Sequence, residues 1–198
     1  MVDQAARDKW DRKHAESPQA PPVPARVLTE HARLLPKSGI ALDLACGQGG
    51  NALFLARRGL VVHAWDISGI AIDELQRLAM AENLEIQTSI RDVSEHPPGP
   101  GSFDVICVSF YLERTIIRQI IEALKPQGLL FYQTFIHEKV TDEGPGNPSY
   151  RLGPNELLEL FAPLHVLAYR EEGRTGDLQQ GLRDTAWLVG QKRKGGSA

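Results

Sequence analysis

The chain has 198 residues, 42% apolar and 24% charged, with a formal net charge of −3; a chain of that length buries roughly 70% of its unfolded surface, enough for one full core. That balance gives no basic footprint for nucleic acid, and no apolar run nears the roughly 20 residues that cross a bilayer. The charged start MVDQAARDKWDRKH lacks the apolar stretch of a secretory signal, so the expectation is a cytoplasmic protein without membrane contact, whose Cys46 and Cys107 are reduced core residues with no disulfide.

The first segment ends in SPQAPPVP, Ser17 to Pro24, whose four prolines favour an extended spacer. Pro24 is suited to start a helix carrying Val27, Leu28, His31, Leu34 and Leu35 on one face, with Pro36 and Gly39 ending it. Strand IALDLA, helix Asn51 to Arg58, strand LVVHAWDI, helix Ile70 to Ala81 and strand LEIQTSI then alternate as in a parallel sheet. After the EHPPGPGS loop come strand FDVICVSF, a helix with Ile116, Ile117, Ile120, Ile121 and Leu124 inward, and strand GLLFYQTF. A helix PNELLELF precedes two strands, LHVLAYREE and RDTAWLVGQKR, with no helical stretch between them, which predicts an antiparallel pair closing the sheet. The fold class is therefore α/β, a Rossmann-like, doubly wound, mostly parallel seven-stranded sheet with a C-terminal antiparallel hairpin. The tail 194–198 is polar enough to be left disordered.

In such a sheet, ligands bind beyond the C-terminal strand ends where strand order reverses, and DLACGQGGN follows the first strand. Gly47 and Gly49 let the loop turn tightly and approach a ligand, unless they are only turn residues. Asp66 ends the second strand, where a carboxylate can accept both ribose hydroxyls or merely cap the next helix. Asp92 follows the third strand, placed to accept from an adenine amino group or to form a turn. Together these strand ends predict an adenosine-containing ligand. GQGGNA satisfies G-x-G-x-x-A, so a nicotinamide dehydrogenase is a rival; Asp43, four residues before Gly47, would repel a pyrophosphate and suits a cationic ligand.

These residues resemble class I S-adenosylmethionine-dependent methyltransferases, whose first motif reads acid-x-x-x-Gly-x-Gly and whose sheet ends in an antiparallel hairpin. The stretches DLACGQGGNALFLARRG, YLERTIIRQIIEALKPQGLLFYQTF and NPSYRLGPNELLELF are similar to small bacterial methyltransferases related to tellurite-resistance proteins. The resemblance implies S-adenosyl-L-methionine as cofactor. It implies that the backbone at Ala45 and Gly47 and the region of Asp43 hold the methionine part with Cys46 lining the loop, and that Gly49 and Asn51 are also cofactor-binding. Asp66 and Ile67 would hold the ribose and adenine, and Asp92 and Val93 the adenine edge, while Ser109 and Phe110 border the transferring methyl group. Relatives often carry arginine where this chain has Gly50. WDRKHA is similar to a W-D-x-x-Y stretch that covers the pocket in relatives, with His14 in place of tyrosine. Trp10 is then a lid residue or a core-capping tryptophan, and the chain divides into a lid segment with its proline-rich linker (1–24), a methyltransferase domain (25–193) and the tail.

Methyl transfer from a sulfonium needs alignment and exclusion of water more than a dedicated base. The loops after the fourth and fifth strands hold the candidate catalytic residues His137, Tyr111 and Arg114, together with Glu113 and Thr134. His137 is suited to accept a proton near neutral pH or is a solvated loop histidine. Arg114 is an anion clamp or a salt-bridged helix-start residue. The long loop 137–154 suits a cover, with Tyr150 and Arg151 as its substrate-side residues. No metal site is expected from six scattered histidines. Ser109, Phe110, Tyr111 and Leu112 stand where base-modifying methyltransferases show N-P-P-Y, which argues against nucleic-acid bases. The expected acceptor is a small molecule: a thiol, a chalcogen oxyanion or a small metabolite. A noncatalytic module binding adenosylmethionine or adenosylhomocysteine is the alternative.

Overall fold

A computed structural model of the chain describes residues 4–16 and 21–194. Seven strands run in the order β3-β2-β1-β4-β5-β7-β6. They are β1 (Ile40–Leu44), β2 (Val61–Asp66), β3 (Ile86–Ile90), β4 (Phe103–Ser109), β5 (Leu124–Phe135), β6 (His165–Arg170) and β7 (Thr185–Gln191). The pairs β1–β2, β2–β3, β1–β4 and β4–β5 are parallel. β7 runs antiparallel between β5 and β6. The expected sheet is thus the observed one, and its order reverses between β1 and β4.

Among the described residues there are six α-helices: α1 (Gln4–Ala15), α2 (Arg26–Glu30), α3 (Gly50–Ala56), α4 (Gly69–Ala81), α5 (Ile117–Ala123) and α6 (Glu156–Leu160). Alternate strand residues serve opposite faces. Leu42, Leu44, Ile106, Val108, Leu130, Tyr132 and Leu188 pack with α5 and α6. Ala41, Val62, Ala64, Val105, Cys107, Phe131 and Val189 pack with α2, α3 and α4. Both cysteines are buried and free.

Three local readings are corrected. Pro24 lies before the Ala25 cap rather than at the first helical position, and the helix stops at Glu30 before a 3-10 turn over Ala32–Leu34. The bend accompanies Val27 N–H donating to the Gln133 side chain at 3.0 Å, while His31 Nδ1 lies 3.1 Å from the Val27 carbonyl. Leu124 opens β5 instead of closing α5. Strands β2 and β3 also begin a residue or two later than the apolar runs suggest. The sequence segments 17–20 and 195–198, which include part of the proline-rich spacer and most of the tail, lie outside the described residues.

Candidate functional site

The turn after β1 is built by backbone that few side chains tolerate. Ala45, Gly47 and Gly49 have φ of 54°, 51° and 82°. A Cβ on Gly49 would run into the Leu75 side chain of α4, so this position needs glycine for both conformation and space. Gly50 is constrained differently. Its missing Cβ would lie 2.5 Å from the Val23 carbonyl oxygen, so the segment entering α2 occupies the space in which an arginine at this position would have to start.

Asp43 faces α3 because it shares the strand face of Ala41. It is fully buried. Its carboxylate accepts from Asn51 Nδ2 at 3.2 Å and from the Ala52 N–H at 3.0 Å. Burial pushes its pKa up to about 7, against the pull of those two hydrogen bonds and with a further push from the Asp66 charge. Asn51 spends its whole amide: Nδ2 also donates to Ser109 Oγ at 2.9 Å, and Oδ1 accepts from the Ala25 N–H at 2.9 Å. It therefore ties the tip of β1, the tip of β4 and the entry to α2 into one buried network.

Asp66 closes the other side of the turn. Its Oδ2 accepts from the Gly47 N–H at 2.7 Å and its Oδ1 from the Ser68 N–H at 2.9 Å. Burial nevertheless raises its pKa. The cap of α4 is Ser68, whose Oγ accepts from Ala71 N–H at 3.2 Å. A carboxylate has about four acceptor positions, so Asp66 retains capacity for a ligand hydroxyl. Ile67 follows, half-buried. Asp92 Oδ1 accepts from both the Ser94 N–H and the Ser94 hydroxyl, at 3.0 and 2.6 Å, so it forms the turn read as its alternative role. Val93 is in the core. The charges of Asp66 and Asp92 both bear on the Tyr111 phenol, so these acids surround one region.

At the β4 end, Ser109 is half-buried and Phe110, an exposed residue, holds φ at 57° with its ring centroid 5.1 Å from that of Phe135. The Tyr111 phenol is pushed up by burial, then by Glu113, so it stays protonated at neutral pH. Its carbonyl accepts from the Tyr132 hydroxyl at 2.7 Å.

The remaining sequence candidates are more dispersed. Arg114 is held in the salt-bridged way: it donates to both Glu156 oxygens at 2.5 and 3.0 Å, and to the Ser149 and Arg151 carbonyls. Arg151 is buried and donates to the carbonyls of Ile136, Glu143 and Pro145, which folds the 137–154 loop on itself. His137 is exposed, with Nε2 2.9 Å from the Pro148 carbonyl. It lines a hollow inside the loop with Lys139, Pro145 and Arg151. Thr134 is buried within β5 opposite Ala186. Tyr150 is half-exposed on the loop.

The segment carrying Trp10 is helical and docked. Asp11 Oδ1 on α1 accepts from Ser68 Oγ at 2.6 Å and from the Ile70 N–H at 3.3 Å. Lys9 Nζ lies 6.0 Å from the rings of both Trp10 and Tyr150, so α1 and the loop meet. His14 Cε1 would stand 3.4 Å from a Cβ on Gly47. Asp11, Ser68 and Gln133 are contributors that sequence reasoning missed; an aspartate just after a tryptophan on a polar helix gave no sign of its distant partner. Among the described residues no group of three histidine, cysteine or acidic side chains is placed to hold a metal ion, and no helix is long and apolar enough to cross a membrane.

Comparison with known proteins gives a consistent picture. The family of the tellurite resistance protein TehB matches residues 23–184. A probable S-adenosyl-L-methionine-dependent methyltransferase TehB of Haemophilus influenzae is 32% identical over 135 residues, 66% of this chain and 47% of the relative. A ubiquinone biosynthesis O-methyltransferase of Xanthomonas axonopodis pv. citri is 28% identical over 131 residues, 63% of this chain and 55% of the relative. The chain spans about half the length of these curated relatives. The crystal structure of TehB from Haemophilus influenzae superposes with a TM-score of 0.70 at 22% identity, over 93% of this chain and 67% of that one. A structure described for conversion of a disulfide bond into a thioacetal group during echinomycin biosynthesis gives a TM-score of 0.71 at 22% identity, over 97% and 94%. These two likenesses show the fold.

Proposed function

Because the chain belongs to the TehB tellurite resistance family, we propose that it is an S-adenosylmethionine-dependent methyltransferase acting on a small-molecule acceptor. The observation that carries this reading is the pair of buried carboxylates on either side of the turn Ala45–Gly49, Asp66 bonded to Gly47 within it and Asp43 to the first turn of α3 just after it, at the point where strand order reverses. The donor chemistry fits: two buried carboxylates, only partly satisfied, suit a ligand bearing ribose hydroxyls and positive charge, and oppose a pyrophosphate. When bound, the cofactor supplies a methyl carbon on a positively charged sulfur that leaves as a neutral thioether.

In this reading Asp66 accepts from the ribose, the Ala45–Gly49 backbone receives the methionine part, and Ile67 flanks the adenine. Asp43 acts from beneath by its charge; with its pKa at about 7, a cation above the turn lowers it and shifts the carboxyl toward the ionised form. Asn51 is a positioning residue that fixes Ser109 and Asp43 relative to each other. Phe110 and Tyr150 border the acceptor, and Tyr111, kept protonated by burial, can donate a hydrogen bond but does not serve as a base. His137 retains Nδ1 for proton acceptance from a thiol or other protonated acceptor. Calorimetry should give binding of adenosylmethionine and none of a nicotinamide dinucleotide, and labelled methyl groups should reach at least one member of a panel of thiols, selenite, tellurite and small metabolites. Dinucleotide binding alone defeats the assignment; cofactor binding with no transfer to any acceptor supports a sensing module instead.

A further inference from the structure

We propose that His14 is part of the cofactor site and that its charge sets the preference between the methylated sulfonium cofactor and its demethylated product. The inference rests on the adenosylmethionine reading above. Its observations are those of a seated helix: Asp11 anchors α1 to Ser68 and Ile70 at the start of α4. One turn further along α1, the His14 imidazole stands over Gly47, the residue whose N–H is bound by Asp66. A group bound on that turn meets the imidazole from below.

The charged groups facing His14 are Asp66 from the end of β2, and Asp11 and Lys13 from α1 itself; Asp43 lies beneath, close enough for Asp66 to act on it. Burial, the largest influence, favours the neutral imidazole, Lys13 acts in the same sense, and Asp66 and Asp11 oppose them. The methylated and demethylated cofactors share adenosine, ammonium and carboxylate. They differ by one positive charge at sulfur. A neutral His14 accepts both, whereas a protonated His14 acts alike on the groups they share and adds a repulsion at the sulfonium that the neutral thioether does not feel. At separations of several ångströms in a half-wet site, that repulsion corresponds to about a fivefold change in relative affinity. The product is therefore favoured as pH falls through the titration of His14, and the substrate form as it rises.

The test compares dissociation constants of adenosylmethionine and adenosylhomocysteine by calorimetry from about pH 7.5 to about pH 5.5, for the parent, His14→Phe and His14→Gln. In the parent the ratio should shift toward adenosylhomocysteine on acidification, approaching about fivefold only as His14 becomes fully protonated; both variants should lose that part and keep only the slope due to Asp43 and Asp66. Parallel pH profiles in parent and variants overturn the inference while leaving the cofactor reading intact. Failure of either compound to bind at any pH removes the cofactor reading and this inference together. A ligand-free check uses the His14 ring proton resonance, assigned by its loss in His14→Phe: its titration should fall below the ordinary histidine value and fall further in Asp66→Asn. An ordinary value unmoved by Asp66→Asn shows that α1 does not seat His14 on the turn, and overturns the inference.

Discussion

Asp43→Asn isolates the cost of a buried charge at the centre of the site. In the folded chain the Asp43 carboxyl is pushed from its ordinary 3.8 to about 7, mostly by burial. The native state therefore holds a proton that the unfolded chain releases between those values, and stability contributed by this residue falls as pH rises through that window. At 1.36 kcal/mol per pH unit, the decline is about 4 kcal/mol in full and about 2 to 3 kcal/mol between pH 5 and pH 8. Asparagine is nearly isosteric and does not titrate. It still accepts one of the hydrogen bonds from Asn51 or Ala52 and turns a donor toward the other, a pH-independent penalty of about 1 to 3 kcal/mol. Urea unfolding followed by the fluorescence of buried Trp65 and Trp187 should show the variant gaining about 2 to 3 kcal/mol on the parent from pH 5 to pH 8. A stability difference that is flat with pH would refute the reasoning, because it would mean that Asp43 is ionised throughout that range.

Asp66→Ala should weaken adenosylmethionine binding by about 1.5 to 3 kcal/mol, the range for hydrogen bonds to a charged group; calorimetry giving parental affinity would remove Asp66 from the site. Gly50→Ala pushes a methyl group against the Val23 backbone and should cost about 1 to 3 kcal/mol as an overpacking change, read as a lowered urea midpoint beside Gly99→Ala, where the nearest atom is Ser102 Oγ at 3.7 Å. His137→Ala should leave cofactor affinity unchanged and alter turnover or acceptor choice; loss of cofactor binding would place His137 in the wrong part of the site.

The fold was legible because its signals are local and repeated. Apolar runs in β1, β2 and β4 are nearly continuous, as strands covered on both faces require, and the glycines of the first turn stand where φ is positive. The helix boundaries near Pro24 and Leu124 were misread because tertiary partners set them: Gln133 binds the Val27 N–H from 106 residues away. The same distance problem limits the site. Asp43, Asp66 and the turn announced themselves by spacing, but the engagement of Arg114 with Glu156 and of Arg151 with three carbonyls depends on how the 137–154 loop folds. Type and spacing identify which residues possess useful chemistry; only geometry reveals which have already committed it.

Asn51 has a mechanical implication. One amide group cross-links chain segments separated by 26 and 58 residues, so the tips of β1 and β4 and the entry to α2 share a single tie, while α1 is fastened separately to the start of α4 through Asp11. The two sets of bonds share no residue, so changing α1, or its residue 14, leaves the Asn51 tie and the strand tips that it joins with their partners intact.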